Sequence, residues 1–106
     1  MNDFKYEVAD GKVTITRYTG AGGDVVILDT IDGLPVTTIG AYAFRECFRL
    51  TSIHLPNSIT AIGDWAFERC VFLTSVTMPN GCSIGEDAFY GCSDLKITIG
   101  TKGGDE

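Results

Sequence analysis

Between residues 39 and 100 the apolar positions change period twice in every 22 or 23 residues. In the first part of each unit Ala43, Phe44, Cys47 and Leu50 stand one, four and seven positions apart. Ala66, Phe67, Cys70 and Leu73 repeat that spacing, and so do Ala88, Phe89, Cys92 and Leu95. Such a pattern predicts one apolar face on a short helical turn. Asp64, Glu86 and Asp87 fall where these turns begin, the place where a carboxylate meets the positive end of a helix dipole. In the second part the period becomes two. Ile53 and Leu55 alternate with Ser52 and His54, and Val76 and Met78 with Ser75 and Thr77. That predicts a strand with one buried face. Pro56 and Pro79 end the strands, because proline lacks the donor that would continue a ladder.

The units are copies of one another. IGAYAFRECFRLTSIHLPN (39–57) and IGDWAFERCVFLTSVTMPN (62–80) are identical at ten of 19 positions, and IGEDAFYGCSDLKITIG (84–100) begins a third copy. One turn and one strand cannot bury their apolar sides alone; stacked coils can, each recurring residue lying over its counterpart. The expectation is an α/β solenoid of about three 22–23-residue coils. It has a parallel sheet on one face and short helical turns on the other. Ahead of it, Phe4, Tyr6 and Val8 alternate, as do Val13 and Ile15, around the tight-turn pair Asp10-Gly11. This reads as a β-hairpin capping one end. Four segments of one domain follow: a hairpin cap (1–18), a lead-in coil (19–38), the repeats (39–100) and a polar tail (101–106). Such a tail covers little of the last coil, which invites self-association there.

The pattern I-G-x-x-A-F-x-x-C-x-x-L-x-x-I-x-L-P resembles the BspA-like leucine-rich repeat of bacterial surface proteins. The resemblance covers residues 39–100 and extends back to about residue 18 through YTGAGGDVVILDTIDGLPVTTIG. Two features depart from it: the family's proline near Asp29 is missing, and the third strand, LKITIG, is one residue short. The resemblance implies a protein-binding, adhesive role at a cell surface. The N-terminus MNDFKYEV lacks a signal segment, so a native start there would instead imply a cytoplasmic protein.

Charge narrows the partners. The 106-residue chain carries a net charge of −6. Its few basic residues form no stripe, which argues against nucleic acid, and no apolar run is long enough to insert in a membrane. Cys47, Cys70 and Cys92 occupy equivalent positions, and Cys82 aligns with Ile59. They are expected as four buried free thiols. Spacings of 23, 12 and 10 with one distant histidine do not suggest zinc, and no cofactor is implied.

Function in a repeat protein lies in the positions the repeat leaves free. One such set is the outer strand face: Ser52, His54, Ser75, Thr77, Lys96 and Thr98. The other is the helical side: Tyr42, Phe48, Trp65, Arg69, Val71 and Phe72. Trp65 and Phe72, seven apart, are expected on one helical face. Exposed rings beside arginine compose a binding hot spot; the same rings lying flat would instead enlarge the core. Three readings follow: a non-catalytic protein-binding module, a structural or self-associating solenoid segment, and, remotely, a serine hydrolase using Ser52 or Ser75 with His54. Against the last stands the lack of an orienting carboxylate and of a closed site.

Overall fold

The computed structural model describes residues 3–100. The polar tail expected at 101–106 lies outside the described residues. Coils stack from the N-terminal side, and each contributes a strand to two parallel sheets. One sheet contains β2 (Lys12–Tyr18), β5 (Leu34–Ile39), β7 (Ala61–Ile62) and β9 (Ser83–Ile84), in that order. The other contains β3 (Gly23–Val26), β6 (Leu50–His54), β8 (Ser75–Pro79) and β10 (Lys96–Gly100). Four strands in this second sheet mean about four coils where the repeats predict about three, because the lead-in segment forms a full layer of its own. β1 (Phe4–Ala9) pairs antiparallel with β2 and closes the first end as a hairpin. A second small hairpin joins β4 (Thr30–Ile31) to β5.

Asp10 and Gly11 both adopt positive φ, 53° and 73°. That geometry matches a two-residue turn whose twist suits the flanking strands. Gly11→Ala is expected to lower stability by about 1 kcal/mol, because a Cβ is disfavoured at that backbone angle; the urea midpoint measures it. The phenol of Tyr6 also donates to Asp32 Oδ2 at 2.5 Å, tying β1 to the β4–β5 turn.

The short helical turns are not there. The third side of each coil is a row of tight turns with a left-handed residue every fourth position: Tyr42 and Glu46, Trp65 and Arg69, Asp87 and Gly91. Backbone donors alternate along it. Ala43, Arg45 and Cys47 donate three residues back, to Gly40, Tyr42 and Phe44. Tyr42, Phe44 and Glu46 donate instead across to Asp64, Ala66 and Glu68 of the next coil, at 3.3, 2.7 and 2.7 Å. Trp65, Phe67 and Arg69 do the same to Glu86, Ala88 and Tyr90. An α-helix would consume those donors internally and leave adjacent coils unjoined on that side. The turn row therefore binds the coils as the two sheets do.

Inside, like residues pile up. Tyr18, Phe44, Phe67 and Phe89 form a ladder of stacked rings with centroids 5.1, 4.8 and 5.1 Å apart. Phe4 of the hairpin leans on its first ring at 5.6 Å. Around the ladder Val13, Ile15, Val36, Ile39, Leu50, Ile53, Ile62, Leu73, Val76 and Met78 are buried. Among the described residues the core contains no buried polar or charged residue. Leu55 lies just beyond β6 yet stays buried, so the period-two alternation outlasts the strand.

Candidate functional site

The outer strand face is built by register. Ser52 pairs with Ser75 and Ser75 with Lys96; His54 pairs with Thr77 and Thr77 with Thr98. The strand columns inferred from the repeat are therefore real columns on one sheet. They extend one layer further back, to Asp24 beside Ser52 and Val26 beside His54. Alternation in the Val25-Val26-Ile27 run carried the signal for Val26, which is exposed while its neighbours are buried. The Ser52 hydroxyl donates to Asp24 Oδ1 at 2.7 Å. Its proton is thus committed to a carboxylate and not to His54, which weakens the imagined Ser–His pair. Ser75 and Thr77 are half-buried, so this face is shallow and offers hydroxyls more than anchors.

The side expected to be helical is the turn row and the corner where it meets β6 and β8. Here Tyr42, Phe48 and Phe72 are 46%, 52% and 62% exposed, and Val71 and Arg69 are exposed as well. Trp65 is half-buried, its ring meeting the edge of Tyr90 at 5.3 Å. With no helix present, the seven-residue spacing no longer places Trp65 and Phe72 on one face. Instead there are two groups. At the start of the row, Trp65 packs on Tyr90, and the Arg45 guanidinium lies 5.6 Å over the Tyr42 ring. At the corner, Phe48 and Val71 hold equivalent positions in successive coils, next to Arg49 and Phe72, which are also equivalent. Repeat alignment brings Arg49 into this group and ring packing brings in Tyr90; neither was singled out from sequence.

Charges cross between coils along the row. Arg45 Nε lies 2.9 Å from Glu68 Oε1, close enough for an ion pair although that oxygen has no well-aligned hydrogen bond. Arg69 and Glu46 face each other at 3.7 Å with the signs reversed. The Arg69–Glu46 pair, exposed on both sides, contributes little to stability. Both pairs do fix where Arg45 and Arg69 stand relative to the rings.

The thiols depart from expectation. All four are free, but only Cys70 is buried; Cys47, Cys82 and Cys92 are half-buried. Cys82 stands in the last described coil, at the position that Ile59 fills one coil earlier. Burial raises its thiol above the usual range.

The family described as the BspA type leucine rich repeat region matches residues 30–102, in six copies. No curated protein matches the chain. Among solved structures, the chain is similar to a leucine rich cell surface protein from Faecalibacterium prausnitzii, at 30% identity with a TM-score of 0.77. It is also similar to a leucine rich repeat protein of T. pallidum, at 26% identity with a TM-score of 0.71. These alignments cover 95% and 92% of this chain but only 31% and 62% of those chains. It shares its fold with a leucine-rich repeat protein from Bacteroides capillosus at 22% identity, covering 94% of this chain and 96% of that one, with a TM-score of 0.66.

Proposed function

We propose, on the premise that the chain belongs to the BspA-type leucine-rich repeat family, that it is a non-catalytic module binding a protein partner, in an adhesive role at a bacterial cell surface. The observation that carries this reading is the exposed corner group Phe48, Val71 and Phe72, with Arg49 beside it. Scattered single apolar residues on a surface need no explanation; a contiguous cluster does. Exposed rings beside an arginine match the centre of protein interfaces. The shallow hydroxyl face of Ser52, His54, Ser75, Thr77, Lys96 and Thr98 serves as flank in this reading, contributing hydrogen bonds and little energy. The similarity to a protein described as a leucine rich cell surface protein supports the location.

The test uses the immobilised chain against a host cell-surface extract. Phe48→Ser with Phe72→Ser is expected to lose at least about tenfold of partner capture, as removal of two interface anchors does, with an unchanged circular dichroism spectrum. Ser75→Asn with Thr77→Asn is expected to retain it. Capture that survives the ring variants and fails in the strand-face variants would overturn the assignment of the face.

A specific observation favours a structural or self-associating solenoid segment as the second reading. Ile97 and Ile99 of β10 stand over Val76 and Met78 in register, yet are 41% and 53% exposed, where the latter are 0% and 1%. A further coil of a longer solenoid, or a second copy, would cover them. Light scattering over a range of concentrations separates the readings: a mass that stays monomeric while capture persists removes self-association.

A further inference from the structure

The turn that leads from β8 to β9 holds a side-chain amide in a setting its counterpart one coil earlier does not share. Asn57 and Asn80 align in the repeat; both follow a proline and both are exposed. In the first copy Ser58 comes next, and the turn is closed. Ile59 N–H donates to Pro56 O at 3.1 Å, and the Ser58 hydroxyl reaches Asp29 O at 3.4 Å. In the second copy Gly81 comes next, with φ at 83°. The corresponding bond from Cys82 N–H to Pro79 O is not made, and the Gly81 N–H has no backbone acceptor among the described residues. A Cβ at Gly81 would meet nothing within 4 Å, so the space beside that nitrogen is open.

We propose that Asn80 is a modification site, where the side-chain amide closes onto the Gly81 nitrogen and reopens as aspartate or isoaspartate, and that the isoaspartate form loosens β9. The site does not depend on the corner rings binding a protein. Asparagine is among the thermolabile residues of proteins, and three features select this one. Its side chain is exposed, the nitrogen that must attack it is not engaged by the backbone, and glycine puts no Cβ in the way of the five-membered ring. In the step itself, Gly81 N gives its proton to water and attacks Asn80 Cγ. The N–Cγ bond forms, the Cγ–Nδ2 bond breaks, and ammonia leaves with a proton from water. Water then opens the cyclic imide. Cleavage of the N–Cγ bond gives aspartate; cleavage of the original peptide bond gives isoaspartate, whose main chain runs through Cγ. Asp10-Gly11 and Asp32-Gly33 offer ionised carboxylates instead, which resist attack by a nucleophile. Isoaspartate lengthens the main chain by a carbon just ahead of β9. That strand is held to its neighbour coil by Ser83 N–H to Thr60 O at 2.9 Å and Gly85 N–H to Ile62 O at 2.8 Å, and the longer turn shifts both donors.

The experiment ages the full chain in warm, mildly alkaline buffer. Peptide mass mapping follows the amide-to-acid change at Asn57 and Asn80, and isoaspartyl methyltransferase labels the isoaspartate. Asn80 is expected to convert at least about tenfold faster than Asn57, which corresponds to a barrier lower by about 1.4 kcal/mol. Asn80→Gln should remove the fast conversion, because its longer side chain would have to close a six-membered ring. In the aged fraction carrying isoaspartate, hydrogen exchange at the Ser83 and Gly85 amides should be faster while that at the Phe67 amide holds. Asn57 converting as fast as Asn80, a fast conversion that persists in Asn80→Gln, or conversion of Asn80 only when the chain is unfolded in urea would overturn the proposed site. Unchanged exchange at Ser83 and Gly85 would overturn the loosening of β9.

Discussion

Phe67→Ala is expected to destabilise the fold by about 4 kcal/mol, the middle of the range for truncating a buried ring. Phe67 is fully buried and stacked on both sides, 4.8 Å from Phe44 and 5.1 Å from Phe89. Removing it empties a gap between two rings. The gap cannot collapse, because backbone bonds hold the coils at fixed spacing: Phe67 N–H to Ala88 O at 2.7 Å, and Phe44 N–H to Ala66 O at 2.7 Å. Small domains hold about 5–15 kcal/mol in all, so this change takes a large share of it. Phe89→Ala removes a ring that is half-buried and stacked on one described side, so about half the loss is expected, again by analogy with cavity-forming truncations. The measurement is urea unfolding, with the midpoint shifting and the slope unchanged. A shift equal for the two variants would mean that Phe67 is not sandwiched.

Gly63→Ala is expected to cost about 3 kcal/mol, at the top of the range for overpacking, for a reason unrelated to backbone freedom. A Cβ at Gly63 would meet Ala41 N at 2.6 Å and the Gly40 carbonyl carbon at 2.8 Å. Both are backbone atoms of the adjacent coil, so no rotamer change relieves the contact. The coil must move, and moving it breaks the Gly63 N–H bond to Ile39 O, 2.7 Å long. Gly40 makes the comparison. A Cβ there stands 3.0 Å from Ile15 O, a tighter-than-usual contact that a small adjustment absorbs. Gly40→Ala is accordingly expected to cost about 1 kcal/mol, near the common value for a single substitution. Thermal unfolding of the pair gives the order directly; the reverse order would place the close approach at the wrong coil.

Those glycines, the ring ladder and the strand columns were legible because each recurs in every copy. A residue type that returns every 22 or 23 positions has to meet the same surroundings each time. The hairpin was legible from Asp10-Gly11 and the alternation around it. The turn row was not. Apolar positions one, four and seven apart suit a helix, but a chain of turns with a four-residue beat produces the same spacing. The residues that distinguish the two are the left-handed ones, and four of those six are Tyr42, Glu46, Trp65 and Arg69, none of which advertises that conformation. Gly91, in the same column as Glu46 and Arg69, and Asp87, in the column of Tyr42 and Trp65, were the local hints. Losing the helix also separates Trp65 from Phe72, so the predicted patch divides into two groups. The strands β7 and β9, two residues each, are too short to show a period at all.

The structure rests on coils joined through a row of turns on the side that displays the rings. Through-hydrogen-bond NMR couplings in the isotopically labelled chain address this directly. The fold described here predicts a correlation from the Phe67 amide nitrogen to the carbonyl carbon of Ala88, and from Phe44 to that of Ala66. Correlations from Phe67 to Gly63, and from Phe44 to Gly40, would mean helical turns closed on themselves and would contradict it.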